Sequence, residues 1–298
     1  MTEPHEVGSR VSAAVVNYNA ATHLAACLDS LQAAGVRDVV VVDNGSSDGS
    51  RAVVDSRPLV EWLETGSNLG YGRAANLGGA RRTAEFLLVC NADIVVEPRA
   101  VAAMVRRMGS DPGLAIVGPR VLNPDGTLYP SVRTFPDLLD AVGHGLLGVV
   151  APSNRFTRRY RLLDWDHETP QRADWVSGAC FLARRTAWAE LGGFDPRYFM
   201  YLEDVDLCWR AGRAGWGVAY EPAAEVLHVQ GVSAAQHPYR MLVAHHRSMW
   251  RFAAETSTGV RRLTLPLIGA GLLLRLGAAM ASHRLVRPVR DQLRSRVP

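Results

Sequence analysis

Three separated stretches, RVSAAVVN, DVVVVD and FLLVCN, are apolar without interruption for the length of a strand and then break into polar residues. A strand with water on one side alternates apolar and polar residues, whereas an unbroken run is buried on both faces, as in a parallel sheet layered between helices. Between the first two runs, HLAACLDSLQAAG has a helical period and closes on glycine. A further strand is expected around LVEWLET. Alternation of strand and helix through about residue 120 predicts an α/β chain with a doubly wound, mostly parallel, Rossmann-like sheet. Such a sheet binds ligands at the C-terminal ends of its strands. The residues delivered there are Asn17, Tyr18 and Asn19 after the first run, Asp43 after the second, and Asn91, Ala92 and Asp93 after the third.

A chain of 298 residues with 48% hydrophobic content suits one large domain with an appendage. The expected division is a catalytic body over 1–239, whose halves meet near residue 120, and a helical tail over 240–298. Every one of the 33 basic residues is arginine, and eleven fall from Arg240 onward against only Glu255 and Asp291. The body is therefore mildly acidic and the tail strongly basic. Cys27, Cys90, Cys180 and Cys208 are widely spaced, which suggests neither a zinc site nor a disulfide framework. The polar start MTEPHEVGSR lacks the pattern of a secretory signal, so the body is expected in the cytoplasm. No nucleic acid is expected among its partners.

Gly70-Tyr71-Gly72-Arg73-Ala74-Ala75 matches G-x-G-x-x-A, with Asp93 about twenty residues on, as in a dinucleotide-binding unit. Against that reading, the same strand-to-helix pattern has already run twice upstream and placed Asp43 at an equivalent edge. A dehydrogenase also gives no reason for the later acid cluster in YFMYLEDVDLCWRAG.

VVNYN, VVDNGSSDGS, TGSNLGYGRAANLG, NADIVVEP, WVSGACFLARR, GGFDPRYFMYLEDVDLCWR and VLHVQGVS, in this order from about Val11 to Ser233, resemble the family 2 inverting glycosyltransferases of GT-A fold. Within that family, NPDGTLYPSVR and YFMYLEDVDL resemble the branch that transfers L-rhamnose from dTDP-L-rhamnose to polyprenyl-diphosphate-linked GlcNAc in cell-wall synthesis. The same resemblance admits other donors, such as UDP-galactofuranose or UDP-GlcNAc. A non-catalytic sugar-nucleotide-binding module would keep Asp43 but need no Asp204.

Departure of a diphosphate builds negative charge that a divalent metal neutralises, and oxygen-rich ligands suit Mg²⁺ or Mn²⁺. The resemblance makes Asp93 the last acid of a D-x-D signature, whose first position here is Asn91, and makes His228 the downstream metal contact. It assigns Asp43 to the N3–H of uracil or thymine, and Asp204 to general base catalysis. Asn17, Tyr18 and Asn19 are expected along base and ribose, and Asn68, Gly70 and Arg73 near diphosphate and sugar. Trp175, Gly178 and Glu203 are expected to face the acceptor, Trp175 either against a sugar or as a packed core indole.

For a helix starting near Glu203, spacing predicts a buried stripe of Leu202, Val205, Trp209 and Gly212, with Glu203, Asp206 and Arg210 on the opposite, surface-paired face. FPDLLDAVGHGLLGVVAPSNRFTRRYR departs from sheet patterning and reads either as a membrane-facing element or as an amphipathic helix with a basic loop. LTLPLIGAGLLLRLGAAMA is interrupted by Pro266, two early glycines and Arg275, a poor continuous span between clusters of arginine. It is expected to lie on an anionic membrane surface, or to pack on its own domain or in a homodimer.

Overall fold

In a computed structural model of the chain, residues 9–135, 154–229 and 237–294 are described, with side chains through residue 282. The Leu/Val-rich stretch at 136–153, the end of VLHVQGVS from Gln230, and the side chains of Arg284, Arg287, Arg290, Arg294 and Arg296 lie outside the described residues.

The unbroken apolar runs form β1 (Val11–Asn17), β2 (Asp38–Asp43) and β4 (Phe86–Asn91), with β3 (Val60–Glu64) beside β2. All pair in parallel in the order β3-β2-β1-β4. Alternate residues of each strand enter two separate cores. Ala13, Val15, Val39, Val41 and Leu88 pack on one face; Ala14, Val16, Val40, Val42 and Val89 pack on the other. This two-sided burial is why the runs show no polar alternation.

Helix α1 (Ala21–Ala33) turns Leu24, Cys27, Leu28 and Leu31 inward, followed by α2 (Ser50–Asp55). On the other face lies α3 (Tyr71–Ala80), pressed so closely that a Cβ on Gly78 would sit 2.8 Å from that of Ala14. After the short β5 (Ile94–Val96), α4 (Ala100–Ser110) buries Val101, Met104, Val105 and Met108.

The second half continues the sheet with mixed pairing. Its elements are β6 (Leu114–Leu122), β7 (Leu128–Tyr129), β8 (Val132–Arg133), α5 (Arg155–Tyr160), β9 (Gln171–Ala173), β10 (Trp175–Val176), β11 (Cys180–Arg184), α6 (Arg185–Leu191), α7 (Glu203–Arg213) and β12 (Gly217–His228). Strand β11 inserts antiparallel between β4 and β6, β12 runs parallel to β6, and β5 closes that edge. Strands β8 and β10 form a separate ribbon with Trp175 opposite Arg133. All four cysteines are buried free thiols.

The chain ends in α8 (Pro238–Thr256), a 3₁₀ turn, and α9 (Leu265–Arg294). Pro266 does not interrupt α9. It stands in the first turn, where its missing N–H would have no partner in the helix anyway. Nor do the glycines break it, because Gly269 lets Trp250 of α8 approach to within 3.2 Å of where a Cβ would be. The Arg275 guanidinium folds onto the Met249 sulfur at 3.8 Å. Away from α8, Leu263 in the turn and Leu267, Leu273 and Leu274 of α9 are 71–76% exposed.

Candidate functional site

The C-terminal ends of β1, β2 and β4 open on one side of the sheet. In parallel register, Asn17 lies beside Asp43 and donates its Nδ2–H to Asp43 Oδ1 at 2.9 Å. The Ser46 amide donates to Asp43 Oδ2 at 3.0 Å, and the Ser46 hydroxyl donates to Oδ1. Asn19, in the left-handed region at φ 50°, accepts from the Ser47 amide. Asp43 borders a cavity of about 310 Å³ whose walls include Ser46, Asp48, Trp62 and Gly66. Ser46 and Trp62 were not anticipated; the alternation in LVEWLET assigns Trp62 to a strand but gives no sign that it reaches this cavity.

Asn44 ties the next loop together, donating to Asn68 Oδ1 at 3.1 Å and accepting from the Leu69 amide at 2.8 Å. Asn68 Oδ1 also accepts from the Gly70 amide. Gly70 has φ 93°, and a Cβ there would lie 2.3 Å from the Phe199 carbonyl oxygen. That oxygen accepts the Tyr71 amide at 3.0 Å, at the mouth of α3 where a pyrophosphate would sit in a dinucleotide site. The glycine match is thus explained by the close approach of another backbone segment, which removes the dehydrogenase reading. Arg73 is exposed and donates to the Pro196 carbonyl at 2.6 Å, bracing the same segment.

Asp93 and His228 meet across the β5–β12 edge, with Asp93 Oδ1 and His228 Nε2 3.3 Å apart. Asn91 Nδ2 lies 3.3 Å from the same ring nitrogen. His228 Nδ1 is buried without a hydrogen-bond partner among the described residues. Ligands about 2.1 Å from an octahedral cation occupy neighbouring corners about 3 Å apart, so the carboxylate and imidazole fit one shared ion. A second carboxylate group, Asp195, Asp206 and Glu255, is different in kind. Arg197 joins Asp195 to Glu255, Arg210 pairs with Asp206 at 2.7 Å, and Arg251 lies 3.4 Å from Glu255. These acids are neutralised by protein and fasten α8 to the body.

The acid cluster occupies the start of α7, as expected, but its burial does not follow the predicted wheel. Glu203 and Asp206 are only 6% and 3% exposed, whereas Trp209 is half-buried and Gly212 exposed. The acidic side of α7 is covered by several elements: a Cβ on Gly72 of α3 would lie 3.7 Å from that of Glu203, Asp206 faces Asp195 and Glu255, and Phe252 of α8 meets Trp209 at 6.4 Å between centroids. Asp206 does pair with Arg210, though in the interior. Glu203 has no arginine partner, and its Oε2 is buried without a hydrogen bond. Burial, followed by the neighbouring Asp204 charge, pushes the Glu203 carboxyl up to about 8.

Asp204 differs although it is adjacent. Its Oδ2 accepts the Gly178 amide at 2.8 Å and its Oδ1 accepts its neighbour Val205 at 2.9 Å. Burial raises its pKa, while these two N–H groups and the Arg133 guanidinium act in the opposite direction. The two adjoining carboxyls therefore differ in surroundings: Glu203 has no donor to hold its charge, whereas two N–H groups and Arg133 favour the charged form of Asp204 against its burial. The adjoining segment also links Asp204 to the metal-ligand edge. The Asn91 amide donates to Ala179 O at 2.9 Å, and the Tyr71 hydroxyl donates to Gly178 O at 2.6 Å. Gly178 therefore adjoins Asp204.

Trp175 is packed rather than presented. It is 5% exposed, its indole N–H donates to Thr134 O at 3.0 Å, and Arg133 lies over its ring. The sequence gives no sign of this arginine, nor of the support behind Asp204. Tyr201 and Leu202 have φ values of 67° and 63°, unusual for side-chain-bearing residues. From α8, Ser248 donates to Met200 O at 2.9 Å and His245 meets the Tyr201 ring at 5.1 Å.

The pattern described as "Glycosyltransferase like family 2" matches residues 9–264. N-acetylglucosaminyl-diphospho-decaprenol L-rhamnosyltransferase of Mycobacterium tuberculosis is 39% identical over 286 residues, covering 91% of each chain. Rhamnosyltransferase WbbL of Escherichia coli is 31% identical over 130 residues, 42% of this chain and 44% of its own. Among solved structures, the mannosyltransferase PcManGT from Pyrobaculum calidifontis, in complex with GDP-Man and Mn²⁺, aligns with a TM-score of 0.57 at 17% identity. That alignment covers 95% of this chain and 80% of that one.

Proposed function

The chain belongs to glycosyltransferase family 2, and from that membership we propose that it moves L-rhamnose, with inversion, from dTDP-L-rhamnose to a polyprenyl-diphosphate-linked GlcNAc. The transferred sugar and the acceptor follow the mycobacterial relative, which matches nearly end to end, and the dTDP carrier follows the motif resemblance. The reaction class rests on one observation, the Asp204 carboxyl held by two backbone amides beside a buried Glu203 that has none.

Inversion by a single displacement needs a base on the face opposite the leaving group, within reach of the acceptor hydroxyl. Asp204 takes that proton. The Gly178 and Val205 amides fix the direction of its oxygens, so the carboxylate need not reorganise as the hydroxyl approaches. A neutral Glu203 avoids a second negative charge, which would repel the developing alkoxide. On the donor side, Asp43 accepts the N3–H shared by thymine and uracil, with Asn17 and Ser46 orienting its carboxylate. Asp93 and His228 would hold a divalent cation, Mg²⁺ or Mn²⁺, which when bound neutralises charge on the departing diphosphate.

The exposed leucines of α9 and its preceding turn support peripheral attachment to the cytoplasmic leaflet, where a lipid-linked acceptor would be met in two dimensions. Release from anionic liposomes by high salt, or by deletion from Arg261 onward, is the expected result. Failure to pellet at low salt would refute the attachment alone. For the reaction, purified protein supplied with GlcNAc-diphospho-lipid and a panel of nucleotide sugars should turn over dTDP-L-rhamnose fastest. Preference for a UDP-sugar would keep the mechanism and replace the donor.

A further inference from the structure

Arg133 is a cation that the protein positions without neutralising. It packs against two adjoining aromatic rings, Trp175 at 5.0 Å and Tyr160 at 5.5 Å from the guanidinium carbon to the centroids. Its Nε–H donates to Pro130 O at 3.0 Å. Among the described residues neither terminal nitrogen has a hydrogen bond, and no carboxylate lies within ion-pair distance. Nearby Arg158, by contrast, is paired with Asp164. A half-buried guanidinium held against two neighbouring rings, whose terminal N–H fork has no acceptor among the described residues, is arranged for an anion supplied from outside.

The location decides which anion. Arg133 lies on β8, and the chain following its partner β10 supplies Ser177, whose amide donates to Ser131 O, and Gly178, whose amide holds Asp204. Arg133 is close enough to Asp204 to favour its ionised form. In a single displacement the base stands opposite the leaving diphosphate, so a cation beside the base belongs to the acceptor's side and not the donor's. The anion expected there is the acceptor's own, one pyranose ring away from the hydroxyl that reacts.

We propose that Arg133 binds the diphosphate of the acceptor, so that the sugar is presented to Asp204 by its charged anchor. This rests on the reading that the acceptor is a diphosphate-linked sugar. A guanidinium suits a diphosphate because its forked N–H groups engage two oxygens at once, which the point charge of lysine does not reproduce.

The test compares wild type, Arg133→Gln and Arg133→Lys, all full length, with three acceptors: GlcNAc-diphospho-lipid, its monophosphate analogue and a neutral GlcNAc alkyl glycoside. Removing charge-assisted hydrogen bonds should raise the KM for the diphosphate acceptor about 30–100-fold in Arg133→Gln. Arg133→Lys should recover part of this loss. The penalty should shrink at least tenfold on the neutral acceptor, and the donor KM should move less than the acceptor KM. An equal loss on charged and neutral acceptors, with the acid limb of the kcat profile moved to higher pH, would mean that Arg133 acts only by tuning Asp204. That result would overturn the inference. Calorimetric binding of GlcNAc-diphospho-lipid without donor requires no turnover. Unchanged affinity in Arg133→Gln would refute the anchor, while weakened affinity would support it even if the transferred sugar were not rhamnose.

Discussion

Replacing Glu203 by glutamine should make the protein more stable than wild type in mild alkali, although it alters a residue next to the base. Burial holds the Glu203 carboxyl at about 8 against an ordinary value of 4.5. The folded state thus keeps a proton that the unfolded chain loses above pH 4.5. Stability linked to this group is undiminished below pH 4.5 and falls as pH rises toward 8. At about 1.4 kcal/mol per unit, the penalty grows by about 3 kcal/mol between roughly pH 5.5 and pH 8. Glutamine has nearly the same shape and no charge to bury. Urea denaturation of both proteins at the two pH values is the assay. Wild type should lose stability relative to Glu203→Gln by a few kcal/mol. Curves that stay parallel across the range would show that Glu203 does not carry a proton in the folded state.

Asp204→Asn should lower kcat by about 10²–10⁴-fold with little change in donor affinity, measured by steady-state kinetics; near-normal turnover would remove Asp204 as the base. Asp93→Ala and His228→Ala should each weaken divalent-ion binding in titrations, and their double variant should add little, since both would ligate one ion; full activity after exhaustive chelation would refute the metal site. Gly70→Ala should destabilise by several kcal/mol, because its Cβ would meet the Phe199 oxygen at 2.3 Å in a backbone conformation that side chains rarely adopt. An unchanged melting temperature would contradict the clasp.

The parallel half of the sheet is legible in the sequence because burial on two faces leaves a local mark, an unbroken run of Val and Leu. The edge residues Asn17, Asp43 and Asp93 follow from where those runs stop. Glu203 and Asp206 are buried where a helical wheel places them on a surface, because the wheel describes one helix in isolation, and what covers them, Gly72 of α3, Asp195 and Glu255, comes from segments far apart in sequence. Trp175 and Gly70 were ambiguous for a related reason. Whether an indole packs or a glycine admits a ligand depends on Arg133 and Phe199, both distant in sequence. The tail looked interrupted because Pro266 was counted as interior, when its cost depends on its position in the turn. Arg133 has no local signature, since its distinguishing property is a terminal N–H fork without an acceptor among the described residues.

The Phe199 carbonyl joins the mouth of α3 to the segment that leads into Asp204, so main-chain atoms set the distance between donor loop and base. A distance set in this way is insensitive to which side chains decorate either loop. The ribbon of β8 and β10 is not independent of α7, because Trp175 and Val176 share a core with Val205 and Cys208 of that helix, and Arg133 favours the Asp204 anion. Substitution of Arg133 would therefore alter Asp204 as well as whatever the ribbon meets. For engineering, the backbone join at Phe199 is the part to leave alone, and Arg133 is the ribbon position to hold fixed while others are exchanged.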